Sequence, residues 1–263
     1  MDNHTKNKNY RSGWFCILLI FCLISLNCKE QEEVAEKCKV YTIGDSTMAN
    51  KSADRFPETG WGQVLSGYFD SRVVVDNRAK NGSSTKTFIN EGRWQQVLDS
   101  LSAGDYVFIQ FGHNDEKNND TLRYAAPYGL YKSNLEKFVN EARAKKAIPV
   151  LFTPIPRRFF KNGKLSETHG VYPDVVRLVS KELEVVLVDL NQLAAGYINN
   201  LGEEPSKEMY LWVDPCKNYP AGIQDNTHLS EKGAHQIAGI ALNVLKEKIP
   251  PLGCHIHLKE SEK

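Results

Sequence analysis

The sequence has almost no excess charge of either sign. Its 263 residues include 33 lysines and arginines against 32 aspartates and glutamates, which gives a formal net charge of +1. Affinity for nucleic acid depends largely on a basic surface that meets the phosphate backbone. The even balance therefore argues against a nucleic-acid partner. The length suits one domain preceded by a targeting segment.

Metal-binding motifs are missing as well. The chain contains neither Cys-x-x-Cys nor His-Glu-x-x-His, two spacings that hold zinc in many proteins. The terminal "CHIH" has suitable residue types, but a frayed tail is the better explanation of it. We therefore expect no metal and no other cofactor.

The six cysteines do not form a disulfide scaffold. Cys16 and Cys22 lie in an apolar leader, and Cys28 comes just after it. Three remain in the rest of the chain: Cys38, Cys216 and Cys254. An odd number cannot pair completely within one chain. Whether Cys216 pairs with Cys254 stays open.

No apolar run is long enough for a membrane span. The run from Trp14 to Leu26 is shorter than the roughly 20 residues that a span needs, and basic residues precede it. A basic start followed by a short apolar core is typical of an export signal. The next residues, "SLNCKEQEE", resemble the lipobox of bacterial lipoproteins, although Leu26 and Asn27 stand where small residues are common.

We therefore predict that residues 1–27 are a lipoprotein signal peptide and that Cys28 becomes the lipidated first residue. The protein would then be attached to the outer membrane by its lipid, facing the periplasm or the cell surface. A cleaved secretory signal followed by an incidental cysteine, or an uncleaved anchor, are the alternatives. After a linker (28–38), we expect a catalytic domain at 39–252 and a tail at 253–263.

From about residue 37 onward, short apolar runs alternate with helical patterns. The predicted strands are 39–43, 72–77, 105–111, 148–153 and 185–190. The predicted helices are near 61–69, 91–102, 128–146, 171–183 and 189–200, with a last one after an N-cap at Ser230. This alternation favours a parallel sheet with helices on both faces, a three-layer α/β/α sandwich.

Polar residues follow each of the first four predicted strands and precede the last helix. These stretches are 44–47, 77–84, 112–115, 153–158 and 225–228. Ligand sites in open parallel sheets form beyond the carboxyl ends of the strands. We therefore expect all five stretches to lie on one rim of the sheet.

Three of these residues fit nucleophilic catalysis. A serine hydroxyl needs a base to take its proton, and the base needs a carboxylate to orient it. Ser46, His228 and Asp225 supply these parts. The backbone N–H groups of Ser46 and Gly82 and the side-chain amide of Asn114 are candidate donors to an oxyanion. Taken one at a time, each is explained better as a turn or helix-cap residue.

The same residues resemble the SGNH (GDSL-like) hydrolases. "GDST", the glycine of "NGSS", "GHND" and "DNTH" match the four sequence blocks of that family in order, and the likeness is closer still to the rhamnogalacturonan acetylesterases. The resemblance covers about residues 39–248. It implies a flavodoxin-like α/β/α fold and metal-free hydrolysis of acetyl esters on pectin. It also implies a Ser46 nucleophile, a His228 base oriented by Asp225, and an oxyanion hole of Ser46, Gly82 and Asn114.

Other residues are weaker candidates for substrate contact. Arg93 could meet a uronate carboxylate and Trp94 could stack on a sugar, unless Trp94 packs beneath its own helix. His113 is a further candidate wall residue. Arg157 and Arg158 either attract an acidic polysaccharide or are solvated loop charges. Lys86 stands where related sequences often have arginine, and Asp45 fits a positioning role better than that of a catalytic acid.

The substrate is expected to be an acetylated polysaccharide or oligosaccharide, and the protein a monomer. Two alternatives remain: an esterase or lipase of the same family acting on another glycan or on a lipid ester, and a non-catalytic glycan-binding lipoprotein. A lipase would need an apolar loop near the site, and "MYLWV" within the irregular stretch 201–227 is a candidate. An α/β-hydrolase is set aside, because Met48 takes the place of the second glycine of Gly-x-Ser-x-Gly.

Overall fold

The structure is a computed structural model that describes residues 37–258. The predicted signal peptide and Cys28 lie outside the described residues, so export and lipid attachment stay predictions. Within residues 37–258, no helix is both long and apolar enough to cross a membrane.

Within residues 37–258, nine strands form a central sheet and two hairpins. They are β1 (Cys38–Gly44), β2 (Val73–Asn77), β3 (Tyr106–Gln110), β4 (Ile148–Phe152), β5 (Phe160–Lys161), β6 (Lys164–Leu165), β7 (Val186–Val188), β8 (Tyr210–Val213) and β9 (Ile223–Leu229). The central sheet is parallel throughout and has the order β2-β1-β3-β4-β7. All five predicted strands belong to it.

In the described part of the chain, eight α-helices connect and cover the strands. They are α1 (Trp61–Val64), α2 (Thr85–Asn90), α3 (Arg93–Ser100), α4 (Lys132–Ala144), α5 (Tyr172–Glu182), α6 (Leu190–Leu201), α7 (Glu231–Lys248) and α8 (Pro250–Gly253). Short 3-10 turns lie at Ala53–Arg55, Leu65–Tyr68 and Pro205–Met209, and a π turn at Pro127–Tyr131. The helix predicted at 61–69 is thus a short α-helix continued by a 3-10 turn.

The two faces of the sheet build two separate cores. Because side chains alternate along a strand, Val40 of β1 points to one face while Tyr41 points to the other. The first face packs against α1, α6 and α7, and the second against α3, α4 and α5. The predicted three-layer α/β/α sandwich is therefore confirmed, and the strand order is the flavodoxin-like one.

The stretch 223–229 differs from the prediction, which placed Asp225 and His228 in a turn before the last helix. It forms β9, paired antiparallel with β8. Tyr210 pairs with Leu229, but the next residue, Leu211, pairs with Asp225, so residues 226–228 bulge out of the ladder. A bulge of this kind redirects side chains away from the regular strand faces.

Candidate active site

Ser46 lies in the turn that follows β1, between the ends of two neighbouring strands. The chain leaves β1 toward β2 on one side, whereas β3 leads to β4 on the other, so a crevice opens beyond β1 and β3. Asp45 shapes the turn, because its Oδ1 accepts hydrogen bonds from the N–H and the hydroxyl of Thr47 at 2.9 and 2.8 Å. Ser46 is the only residue between 41 and 49 that is not buried.

Ser46, His228 and Asp225 are joined in one hydrogen-bonded chain. His228 Nε2 lies 2.9 Å from Ser46 Oγ, and His228 Nδ1 lies 2.7 Å from Asp225 Oδ2. The serine and the histidine are 182 positions apart in the sequence. The three residues that the sequence predicts as nucleophile, base and orienter are thus brought together, in the geometry that such a reaction needs.

The β9 bulge is what aims His228 at Ser46. Asp225 Oδ1 accepts hydrogen bonds from the backbone N–H groups of Thr227 and His228 at 2.7 and 3.0 Å, which curls the chain between them. Burial alone would raise the pKa of Asp225, but the hydrogen bonds from the His228 side chain and from these two N–H groups lower it to about 2. Asp225 is therefore a carboxylate at neutral pH.

Asn114 is held firmly beside the serine. Its Nδ2 donates to the Ser83 carbonyl at 2.9 Å, and its Oδ1 accepts from Lys117 Nζ at 2.8 Å. An amide nitrogen carries two hydrogens, so one remains for another acceptor. Asn114 thus retains the donor that an oxyanion would use.

Gly82 lies in the turn before α2. Its φ of 75° belongs to the left-handed region, and only an Arg123 side chain lies near where a Cβ would stand. Backbone conformation, more than space, therefore accounts for glycine at this position.

Asp115 ties the Gly82 turn to the loop after β3. Its Oδ1 accepts hydrogen bonds from the N–H and hydroxyl of Thr85 at 2.9 and 2.5 Å. Burial raises the pKa of Asp115 to about 7. Within residues 37–258, its Oδ2 has no hydrogen-bond partner. The link fixes the start of α2 against the segment that carries Asn114.

A cavity of about 220 Å³ opens at these side chains. Its lining residues are Ser46, His113, Asn114, Lys117, Arg157, Asp225, Thr227 and His228. Two of the three expected oxyanion donors, Ser46 and Asn114, are among them, but Gly82 is not. Every lining residue is polar or charged, so the cavity offers no apolar side chain to a long acyl group.

His113 forms part of the cavity wall, as the sequence predicts, but only 3% of it is exposed. Its Nδ1 lies 3.0 Å from Asp45 Oδ2, and its ring meets that of His169 edge-on at 4.5 Å. Burial lowers the pKa of His113. Burial would raise the pKa of Asp45, but His113 and the Thr47 hydrogen bonds lower it to about 2. These contacts give Asp45 a positioning role, supporting His113 and the Ser46 turn.

Trp94 lies in the core, so of the two alternatives for it, packing beneath its own helix is the one that the structure shows. Trp94 is 2% exposed and packs edge-on against Phe138 at 4.9 Å. Its Nε1 donates to Glu141 at 2.6 Å. Its neighbour Arg93 pairs with Glu91 at 2.7 Å, and neither residue lines the cavity.

Two other basic candidates also have structural partners. Arg158 is 5% exposed and donates to the Ser206 hydroxyl at 3.1 Å, so it supports the segment before β8. Lys86 donates to the Thr121 carbonyl at 2.7 Å and does not line the cavity. Arg157 does line it and pairs with Glu116 at 2.5 Å.

Lys117 is the cavity residue that the sequence did not suggest. It lies three positions after Asn114 in the short turn after β3, and that spacing is the only signal for it. Its position in the cavity wall becomes evident only when the turn is seen folded.

A parallel sheet with a serine, a histidine and an aspartate joined beyond its strand ends is the arrangement of a serine hydrolase. Residues 42–236 match the GDSL-like lipase/acylhydrolase family, and the chain belongs to that family.

Among its relatives is rhamnogalacturonan acetylesterase RhgT of Bacillus subtilis, 40% identical over 227 residues, which covers 85% of this chain and 96% of the relative. The probable rhamnogalacturonan acetylesterase YesY of the same species is 35% identical over 213 residues, covering 81% and 94%. The crystal structure of the B. subtilis protein YxiM superposes with a TM-score of 0.70 at 26% identity, over 81% of this chain and 57% of that one. The predicted family and the prediction of a serine esterase are confirmed.

Proposed function

We propose that this protein is a carbohydrate esterase that removes O-acetyl groups from a pectic polysaccharide, rhamnogalacturonan. The hydrogen-bonded chain from Asp225 through His228 to Ser46, which opens into a small polar cavity, carries the proposal. Two relatives whose names state rhamnogalacturonan acetylesterase activity, matched over nearly their full length, support the substrate.

The reaction proceeds in two steps. His228 Nε2 takes the Ser46 proton while Oγ attacks the acetyl carbonyl, and the oxyanion accepts hydrogen bonds from the Ser46 N–H and the free Asn114 amide hydrogen. His228 then gives its proton to the sugar oxygen, which leaves as an alcohol. A water molecule next loses a proton to His228 and attacks the acetyl-enzyme. The bond from Ser46 Oγ to the acetyl carbon then breaks, His228 returns its proton to Oγ, and acetate is released. Asp225 stabilises the imidazolium in both steps.

A lipid ester is less compatible with the observed packing. In the candidate apolar loop "MYLWV", Met209, Tyr210 and Leu211 are buried in the core, and the last two residues are partly buried. The cavity is lined by residues of polar or charged type. Both observations support a short acyl group such as acetyl.

Acetate release from acetylated rhamnogalacturonan, acetylated xylan and a triglyceride, measured in parallel, tests the substrate. We expect the highest kcat/KM on rhamnogalacturonan. Faster release from xylan or the triglyceride would contradict the pectic assignment while leaving the esterase intact.

Ser46→Ala tests the mechanism. We expect kcat on p-nitrophenyl acetate to fall by about 10⁴-fold or more, because the nucleophile is removed, with an unchanged melting temperature. Ser66→Ala, which changes an exposed serine in a 3-10 turn, is the matched control and should keep full activity. Wild-type turnover by Ser46→Ala would refute both the mechanism and catalysis by this site.

We also propose that the mature protein is attached to a membrane by a lipid on Cys28. The apolar leader and the cysteine after it support this. Metabolic labelling with a fatty-acid analogue should label the wild type and leave Cys28→Ala unlabelled. Equal labelling of both proteins, or of neither, would refute the anchor.

A further inference from the structure

Lys117 is a cation in the cavity wall without a negative partner. Its Nζ donates to Asn114 Oδ1 at 2.8 Å, and this neutral amide oxygen is the one polar group it contacts among residues 37–258. An ammonium group has three donors, so two N–H groups of Lys117 are unused. An exposed ammonium group therefore lines the same cavity as Ser46 and has capacity for an anion.

The carboxylates around the cavity already have hydrogen-bond partners other than Lys117. Asp225 pairs with His228 at 2.7 Å, and Asp45 lies 3.0 Å from His113. Glu116, behind the wall, pairs with Arg157 at 2.5 Å and lies 2.8 Å from His169 Nδ1. Each of these acidic groups is hydrogen-bonded to a histidine or an arginine, and none of them contacts Lys117.

We infer that Lys117 binds the carboxylate of a uronic-acid residue next to the acetylated position of the glycan. The inference rests on the proposed function, since it names a feature of the substrate at the same site. Arg157, which also lines the cavity, adds positive potential, although Glu116 offsets much of its charge. One ammonium group with no carboxylate in contact matches a singly charged carboxylate better than a doubly charged phosphate.

A purely structural role for Lys117 makes a different prediction. If Lys117 acted only through Asn114, it would strengthen the oxyanion donor and accelerate hydrolysis of every ester alike. A carboxylate subsite would instead raise the affinity for acidic ligands only. Loss of Lys117 would then weaken the binding of acidic ligands and leave that of neutral ligands unchanged.

The test is inhibition of p-nitrophenyl acetate hydrolysis by unacetylated trigalacturonate and by its fully methyl-esterified form, which differ in charge. We expect the acid to inhibit the wild type about ten-fold more strongly than the ester. Lys117→Met should abolish this preference and Lys117→Arg should keep it. Saturation-transfer NMR with the same two trisaccharides gives the comparison for any variant with low turnover.

Lys248→Met is the matched control. Lys248 also donates to a neutral oxygen, the Leu187 carbonyl at 2.9 Å, and lies at the far end of α7. The Lys248→Met variant loses the same charge as Lys117→Met but should retain the wild-type preference for the acid. A wild type without preference for the acid, or a Lys117→Met variant that keeps it, would overturn the subsite.

The two proposals fail separately. A wild type that prefers the acid but releases no acetate from rhamnogalacturonan retains the subsite and loses the proposed function. A wild type that deacetylates rhamnogalacturonan without preferring the acid retains the function and loses the subsite.

Discussion

At the scale of single residues, Asp225 uses its two oxygens for two tasks. Oδ2 holds His228, whereas Oδ1 accepts the two backbone N–H groups that curl the β9 bulge. Removing the charge and removing the side chain should therefore have different consequences.

Asp225→Asn keeps an acceptor at Oδ1 but loses the charge. We expect kcat on p-nitrophenyl acetate to fall by about 10³–10⁴-fold, because His228 loses its orienting carboxylate, with little change in stability. Asp225→Ala should also lower the free energy of unfolding by about 1–2 kcal/mol, because two N–H groups lose their acceptor. Steady-state kinetics and urea unfolding measure both effects. Equal stability of the two variants would contradict a structural role for Oδ1.

Asp115 should make the protein less stable as the pH rises, whereas a carboxylate with a lowered folded-state pKa makes it more stable. Because burial raises its folded-state pKa to about 7, its contribution to stability is full below the unfolded pKa of about 4 and is lost as the pH rises toward 7. Asp115→Asn carries no such titration. We expect the variant to gain stability relative to the wild type by roughly 2 kcal/mol between pH 5 and pH 8. Urea unfolding at the two pH values measures this, and a constant difference would exclude the ionisation.

At the scale of elements, the start of α7 fits closely against the segment before β8. A Cβ on Gly233 would lie only 1.8 Å from the Met209 carbonyl oxygen, so the helix approaches the backbone where no side chain fits. The same helix follows directly on the strand that carries His228. Packing at Gly233 therefore bears on the position of the base.

Gly233→Ala should lower the free energy of unfolding by about 2–3 kcal/mol, because the added methyl forces the helix away from Met209. It should also lower kcat, since β9 moves with the helix. Gly196→Ala is the control, because Gly196 lies in α6 with no neighbour near its Cβ position and should gain up to about 1 kcal/mol. Thermal unfolding and p-nitrophenyl acetate kinetics measure both, and a harmless Gly233→Ala would contradict the close fit.

At the scale of the whole molecule, the sequence was sufficient to predict the sheet and the proximity of Ser46, Asp225 and His228. Five apolar runs marked the five central strands, and strand-end polar residues marked one rim. Ser46 and His228 could be paired in advance because each follows from chemistry and from the order of the motifs. The bulge in β9 could not be predicted from the sequence, because it depends on the pairing of β9 with β8.

Two features depended on packing that a motif does not record. Trp94, Val97, Leu98 and Leu101 follow the spacing of one helix face, and that pattern was the available sign that Trp94 is buried. The absence of a carboxylate in contact with Lys117 among the described residues becomes evident only when the partners of each neighbouring acid are known.

The polar cavity predicts selectivity for acyl length. Its volume is about 220 Å³, and none of its lining residues has a purely apolar side chain to receive a longer acyl chain. We expect kcat/KM for p-nitrophenyl octanoate to be at least about ten-fold below that for the acetate. Esters of two, four and eight carbons, measured side by side, test this, and a preference for the octanoate would contradict the assignment of the cavity.

Ser46 and His228 are 182 positions apart, so the appearance of esterase activity reports when these two distant segments have come together during folding. The proposed nucleophile lies in the turn after β1, and its proposed base lies in β9, the last strand among residues 37–258. A nascent chain therefore cannot hydrolyse an ester until residue 228 has been synthesised and has docked. In a refolding experiment, the return of esterase activity dates that final docking, and it should lag behind signals from the central sheet.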